Sequence, residues 1–392
     1  MILVINTGSS SVKFAVYQIA DAQAPSPVCR GQVENIGSSS LFSASSGDAI
    51  TIEDMELDAS SIPGHGESIE WILGWIDSTL PDVQIKAVGH RVVHGGPIFT
   101  TPVIVDEDVL VELTELEKLA PLHQPYNVAG IQAIMNAHPG IPQVACFDTA
   151  FHRTQPKVAE MFGIPDEYFQ SGVRRYGFHG LSYEYIVSKI RDIEPSIADG
   201  CLIVAHLGNG ASMCAVDGGK SVATTMGFTA LDGLPMGTRS GSIDPGVIFY
   251  LIRVKGFTID QVEDLLYRKS GLLGISGISH NMEALTTSTE QGARLAVEYF
   301  AYRCIREIGS LTAALGGLDA LVFTGGIGEN SPIVRERVCR GLEWLGISIE
   351  EGANAANKEL VSTLGVSPAV YVVPTNEELI IALHTAKTLK EQ

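Results

Sequence analysis

Shifted by 200 positions, the chain meets itself. "ILVINTGSSSVKFAVY" (2–17) falls on "LIVAHLGNGASMCAVD" (202–217), with Val4 on Val204, Gly8 on Gly208, Ala15 on Ala215 and Val16 on Val216. Each copy reads as a buried apolar strand, a polar turn containing glycine, and a second apolar strand. A hairpin needs only about two to five turn residues, with Gly or Asn at the bend. The first turn, with Asn6, Gly8 and three serines, supplies more hydroxyls and backbone N–H groups than a bend requires. Successive N–H groups in such turns form anion-binding concavities. Two readings follow. One is a pair of ordinary hairpins in an α/β protein. The other is a duplicated domain with one phosphate-binding hairpin per half, the two halves holding a polyphosphate between two lobes.

The pattern between the repeats is that of an α/β protein. Short apolar runs predict strands at 2–5, 12–17, 85–93, 143–148, 201–207, 320–324 and 369–373. Periodic stretches predict helices at 66–79, 125–137, 289–315, 332–345 and 376–390. The fourth has apt boundary residues, with Ser331 to cap it, Pro332 at its first position and Gly346 just beyond its end. The segment 37–49, "GSSSLFSASSGDA", reads as a Ser/Gly-rich surface turn. At 392 residues the chain is long enough for two or three domains.

A net charge of −19 argues against nucleic acid or an anionic membrane as a partner, since both reward basic patches. An anionic substrate must therefore be drawn in by local arginines. The six cysteines carry no CxxC and no metal spacing, so they read as reduced thiols of a cytoplasmic protein. No basic segment precedes the first apolar run, and no apolar stretch is long enough to span a membrane.

The familiar nucleotide loops are missing. "GGKS" at 218–221 has Cys214 where a GxxxxGK[ST] loop needs its first glycine, and no GxGxxG follows a strand. The best substitute is "ALVFTGGIGENSPIV" (320–334), a buried strand running into Gly325, Gly326 and Gly328 at a helix start. Such a turn permits close backbone approach to an anion or to a nucleotide's polar edge.

Eight blocks, spread in order over nearly the whole chain, resemble the acetate kinase family. They are "INTGSSSVKF", "GHRVVHGG", "FDTAFH", "RRYGFHGLSYEY", "AHLGNGAS", "GLPMGTRSGSIDPG", "FTGGIGENS" and "PTNEELIIA". The resemblance implies two duplicated ribonuclease H-like lobes of the actin-like ATPase superfamily, with ATP in the interlobe cleft. It sets the lobes at 1–149, with the helix 377–392 packing back on the first, and at 150–376. It further implies a homodimer and a reversible, Mg²⁺-dependent transfer of a phosphoryl group from ATP to acetate, with Mn²⁺ able to substitute. Alternatives are a propionate or other short-chain acyl kinase and, in another class, an actin-like ATPase that makes no acyl phosphate.

The same resemblance assigns residues. Asn6 and Glu377 serve the Mg²⁺ site, and Lys13 holds nucleotide phosphates. Arg91 and Arg239 match the two active-site arginines, the residue type that engages carboxylate and phosphate bidentately. His179 matches a transition-state stabiliser. Asp148 matches an essential acid; since acetate needs no deprotonation at neutral pH, orienting Arg91 or a metal-bound water suits it better than general-base work. His123 and His206 match active-site positions. His206, Leu207, Gly208, Asn209 and Gly210 form the second phosphate hairpin, and Gly326, Ile327, Gly328, Glu329 and Asn330 the nucleotide turn. Val93, Leu122 and Phe178 match the wall around the acetate methyl group. The fourth wall position, usually proline in the family, is Ala230 here. Near the nucleoside, where the family has Asp-x-Arg, this chain has Asn281, Met282 and Glu283. That change predicts loose discrimination between ATP and GTP. His90 and His94 make an HxxxH on a predicted strand, a poor setting for zinc.

Overall fold

The computed structural model describes residues 1–8, 10–18, 25–47, 50–58 and 62–391. Ser9 of the first turn, Asp48 and Ala49 of the 37–49 segment, and Gln392 lie outside them. The chain divides into two compact units, one made of Met1–Ala150 and Asn376–Gln392, the other of Phe151–Thr375.

Among the described residues the first unit carries eight strands: β1 (Ile2–Thr7), β2 (Ser11–Gln18), β3 (Ser26–Glu34), β4 (Leu41–Ser46), β5 (Ile50–Glu56), β6 (Ala87–Val92), β7 (Val103–Ile104) and β8 (Gln143–Phe147). They form one sheet in the order β5-β4-β3-β2-β1-β6-β8-β7. The second unit carries β9 (Cys201–Leu207), β10 (Ala211–Asp217), β11 (Lys220–Thr224), β12 (Ala320–Thr324) and β13 (Ala369–Val372), in the order β11-β10-β9-β12-β13. The run β3-β2-β1-β6-β8 and this second sheet are the same sheet built twice. In each, the first strand is antiparallel to its hairpin partner and parallel to the strand on its other side, and a second parallel strand follows. The domain is therefore duplicated, with one such hairpin in each half.

The two hairpins differ by one residue. The last pair of the first is Thr7 with Val12, leaving residues 8–11 between them; in the second it is Leu207 with Ala211, leaving 208–210. The Gly8 N–H closes the first turn on the Ser11 carbonyl at 2.8 Å, and the Gly208 N–H closes the second on the Gly210 carbonyl at 3.0 Å.

Leu3, Val4 and Ile5 are wholly buried because both faces of the first sheet are covered. On one face the helix His65–Thr79 packs Ile69, Ile72 and Trp75 against Phe14 and Phe42. On the other lies the C-terminal helix, Glu377–Lys390, which approaches so closely that β6 needs glycine: a Cβ on Gly89 would meet Thr385 Oγ1 and come within 2.7 Å of Ile381 Cγ2. In the second unit the helix Gly180–Ile193 covers β9 with Tyr183, Ile186 and Ile190. Among the described residues no helix is long and apolar enough to cross a membrane.

Two expectations need correction. The 37–49 segment is not a turn: Leu41–Ser46 is strand β4, paired on both sides, with Phe42 and Ala44 buried and Ser43 and Ser45 on the other face. The helix expected over 332–345 stops at Arg340. Gly341 packs directly on Ile305, a short 3₁₀ turn follows at Glu343–Leu345, and Gly346, at φ +84°, ends that turn instead. Ser331 makes no side-chain cap bond.

Gly89→Ala should cost about 1–3 kcal/mol by overpacking the contact with the C-terminal helix. Denaturant unfolding of the two proteins checks this; equal midpoints would mean that the helix does not rest on β6.

Candidate active site

In the first unit the parallel strands end side by side, and the charged residues gather there. Arg91, on β6, gives its Nε to Asp148 Oδ1 at 2.9 Å and its Nη2 to Asp148 Oδ2 at 2.7 Å. Asp148 follows β8 directly, and its own N–H bonds the Val92 carbonyl at 3.0 Å. Arg91 Nη1 faces Asn6 Oδ1 at 3.4 Å and Glu377 Oε2 at 3.6 Å. Burial opposes the charge on Arg91, but Asp148 and Glu377 more than offset it and raise its pKa, so it stays cationic. Glu377 opens the C-terminal helix. Burial pushes its carboxyl up to about 7 against the pull of Arg91, and Asp148 and Glu378 add to the rise. Asn376 caps that helix through the Leu379 N–H and is itself held by the Tyr17 hydroxyl at 3.2 Å. Lys13 stands directly across the hairpin from Asn6 and is exposed.

Two residues that the sequence did not mark set the neighbouring loop. Asn127 Oδ1 accepts the Val93 N–H and its Nδ2 donates to the Thr7 carbonyl, which ties β1 to the loop after β6. Gln124, one helical turn earlier, holds His94 by both its N–H and its carbonyl. Val93 is buried; Leu122 and His123 are half-buried, just before the helix Gln124–Ala137. His90 and His94 are both engaged, His90 Nε2 at 2.7 Å from the Gln143 amide and His94 Nδ1 accepting the Gly96 N–H at 2.8 Å.

In the second unit His179 precedes the helix Gly180–Ile193 in a left-handed conformation, φ +59°. Its Nδ1 lies 2.8 Å from Ser212 Oγ, and Ser212 also bonds Tyr183. The His179 ring stacks on that of His206 with centroids 4.3 Å apart, and His206 Nδ1 bonds Ser182 at 2.8 Å. Arg239 Nη1 donates to the Ala230 carbonyl at 3.1 Å. Arg175 joins this loop to the segment leading to His179, donating to Asp232 at 3.0 Å and to the Met226 carbonyl at 3.2 Å. Phe178 is buried. Of the four proposed wall residues, Val93 and Leu122 thus belong to the first unit, Phe178 and Ala230 to the second.

Three stretches far apart in sequence line one cavity of about 650 Å³ in the second unit: Gly208 and Asn209; Asn281, Met282 and Glu283; and Gly326, Ile327 and Asn330. Leu207, Gly210, Gly328 and Glu329 are not part of its lining. Glu329 turns inward, where Oε1 accepts the N–H groups of Gly325 at 2.8 Å and Thr375 at 3.1 Å. Asn281 spends its side-chain oxygen capping the Glu283 and Ala284 N–H groups. The glycine turn has a support the sequence did not reveal. Arg335, wholly buried, donates to the Gly328 and Glu329 carbonyls at 2.8 and 2.9 Å and to the Asn354 carbonyl at 2.7 Å.

The acetokinase family model matches residues 1–383. The chain belongs to the acetokinase family. Among similar members, the acetate kinase of Methylocella silvestris is 49% identical over all of this chain and 98% of its own length. The acetate kinase of Rhizobium meliloti is 46% identical over 98% of this chain and 97% of its own. Solved structures agree. Porphyromonas gingivalis acetate kinase superposes with a TM-score of 0.88 at 37% identity, covering 99% of both chains. A Francisella tularensis propionate kinase gives 0.90 at 36%, covering 98% of this chain and 99% of its own. With these likenesses the duplicated units are ribonuclease H-like halves of the actin-like ATPase fold. As an acetokinase the chain is an ATP-binding phosphotransferase with a carboxylate as acceptor.

This acetokinase carries an acid-sensitive residue beside its arginine. Burial holds the His90 imidazole down at about 4, against an ordinary value of 6.5. As pH falls through 6.5 the unfolded chain takes a proton that the folded chain refuses, so stability is present above 6.5 and lost toward 4. The stability of wild type relative to His90→Gln should fall by about 3 kcal/mol between pH 8 and pH 4. Urea unfolding at several pH values checks this; a constant difference would mean that His90 titrates normally.

Proposed function

We propose that this acetokinase transfers the γ-phosphoryl group of ATP to acetate, reversibly, by direct in-line attack of the carboxylate. The observation that carries the reading is the fork between Arg91 and Asp148. Two anions must meet in this reaction, so fixed positive charge has to neutralise the approach. Asp148 occupies the side of the guanidinium that bears Nε and Nη2. The opposite edge bears Nη1, which faces Asn6 and Glu377, and the second Nη2 hydrogen; that grip aims it as a planar fork of the right shape for a carboxylate or phosphoryl group. Asp148 acts by orienting Arg91, without taking a proton. Arg239, steadied by the Ala230 carbonyl, supplies the second cation, and His179 donates to the equatorial phosphoryl oxygens. Lys13 and the two hairpin turns contact the phosphates. The 650 Å³ cavity takes the nucleoside. No lysine or arginine lines it, in keeping with weak discrimination between ATP and GTP.

The donors beside Arg91 fit a magnesium ion. Asn6 Oδ1 and the Glu377 carboxylate are hard oxygen ligands, few in number, which suits an ion that keeps several waters and binds phosphate. When bound, it would screen charge on the phosphoryl oxygens. The free thiols among the described residues support a cytoplasmic location.

A broader acyl range is the second reading, favoured by alanine at 230, where the family usually has proline. The Ala230 N–H makes no hydrogen bond among the described residues, so Ala230→Pro removes none. A hydroxamate assay with ATP, Mg²⁺ and acetate, propionate or butyrate tests both readings. Acetate should lead propionate by about 10-fold in kcat/KM, because one methylene in an apolar pocket is worth only ~1–3 kcal/mol. Val93→Ala should narrow that ratio and Ala230→Pro widen it. Arg239→Ala should lower kcat by about 10³ with smaller changes in KM. Absence of acyl phosphate would point to a plain ATPase; a preference for butyrate would end the acetate reading.

We propose further that the enzyme is a homodimer built on the helix Pro245–Arg253. None of its residues is buried, and Val247, Phe249 and Tyr250 are all exposed. Asp244 caps its start and Arg253 closes its end. An isologous pairing that runs the two copies of this helix antiparallel sets the acid of one copy beside the arginine of the other while covering the apolar face. Phe249→Asp should convert the sedimenting species to monomer; an unchanged species would place the interface elsewhere.

A further inference from the structure

His152 ends the block "FDTAFH", and nothing in the proposed chemistry uses it. It is wholly buried in the second unit. Its Nε2 lies 2.9 Å from the Phe178 carbonyl and its Nδ1 2.9 Å from Ser221 Oγ. Ser221 is surrounded by donors: Gln155 Nε2 at 3.0 Å and the Cys214 thiol at 3.2 Å. Burial pushes that thiol up to about 12, so it keeps its hydrogen, with the Ser221 oxygen nearer than its other acceptors, the Ala215 carbonyl at 3.5 Å and His152 Nδ1 at 3.9 Å. With two donors aimed at its oxygen, Ser221 turns its own hydrogen to Nδ1. The Nε2 nitrogen therefore carries the ring proton and donates to Phe178.

The Phe178 carbonyl and the His179 N–H share one peptide plane. Fixing that oxygen fixes the plane, and the plane sets φ of His179, which sits at +59°, a region that non-glycine residues adopt at a cost. The ring also lies flush on the backbone one step earlier. Gly177 is at φ +74°, and a Cβ there would come within 2.6 Å of His152 Cδ2.

We propose that His152 is a positioning residue for the phosphoryl transfer: through the Phe178–His179 peptide it holds His179 in the left-handed conformation that its role requires. The proposal rests on the reading of His179 as the group that meets the phosphoryl oxygens. His152→Leu removes the donor. His152→Gln keeps an amide nitrogen near the place of Nε2. In the ATP and acetate assay His152→Leu should lower kcat by about 10- to 100-fold, the scale of a small misplacement of a catalytic group. KM for both substrates should stay within about 3-fold. His152→Gln should recover most of the loss.

In a His179→Ala background, His152→Leu should lower kcat no further, because the group it positions is gone. Ser221→Ala, a milder change that frees the tautomer, should move kcat in the same direction and vanish in the same background. It serves if His152→Leu does not fold. The ring resonances of His179 in the substrate-free enzyme, identified by their loss in His179→Ala, should shift in His152→Leu or Ser221→Ala. A loss of kcat that persists in the His179→Ala background would overturn the proposal. So would unmoved His179 resonances, or a His152→Gln enzyme as slow as His152→Leu. If the wild-type enzyme forms no acyl phosphate, the reaction assignment fails by itself, and the resonance shift alone decides whether His152 sets His179.

Discussion

The shared direction of β1, β6 and β8 is what everything in the first unit depends on. Parallel neighbours bring their carboxyl ends out along one edge, where open α/β sheets leave reactive groups. Asn6 comes from β1, Arg91 from β6 and Asp148 from the residue after β8. Because β2 returns antiparallel from that same edge, Lys13 joins them. The second unit repeats the device with different contents. His206 lies on β9, the glycine turn follows β12, and Thr375 lies beyond β13. Duplication gave the chain two such edges, and the first collected charge while the second collected a nucleotide-sized cavity.

Much of this was open to reading in the sequence. The two hairpins, the strands of continuous apolar character and the glycine turn announce themselves through local composition, because burial on both faces demands it. The outer strands were harder. β4 has only Phe42 and Ala44 to show for its buried face, and its serines imitate a loop. The one-residue difference between the hairpins is a matter of pairing, which composition does not record. Where the helix Pro332–Arg340 ends, Gly341 packs on Ile305 of another helix, a contact that local composition does not record.

The site residues divide in the same way. Several of those assigned to substrates in the proposed reaction, among them Arg91, His179 and Arg239, sit in blocks dense with glycine and unusual polar residues, whereas Leu122, Ala230 and Asn281–Glu283 lie outside those blocks. The residues that hold them in place did not stand out. Asn127 meets Thr7 across 120 positions and Arg335 meets Asn354 across 19. Each looks locally like an ordinary helix residue. Arg335 is the extreme case: a charge buried without a carboxylate, satisfied by carbonyls and amides alone, which no spacing rule anticipates. Burial depresses its pKa to about 10, still high enough to keep the proton.

The C-terminal helix has a consequence for how the protein is made. The helix Glu377–Lys390 covers the sheet that begins with Ile2, and the whole second unit lies between them in the sequence. Synthesis runs from the amino end, at about 5–20 residues per second, and domains tend to close as they emerge. Here the unit that starts first must finish last. Residues 151–375 can close while the face of the first sheet around Gly89 still waits, bare, for its cover. The nascent chain thus carries an apolar surface for the time it takes to translate more than half its length, and a chaperone that shields that face would act on this enzyme before its first unit is complete.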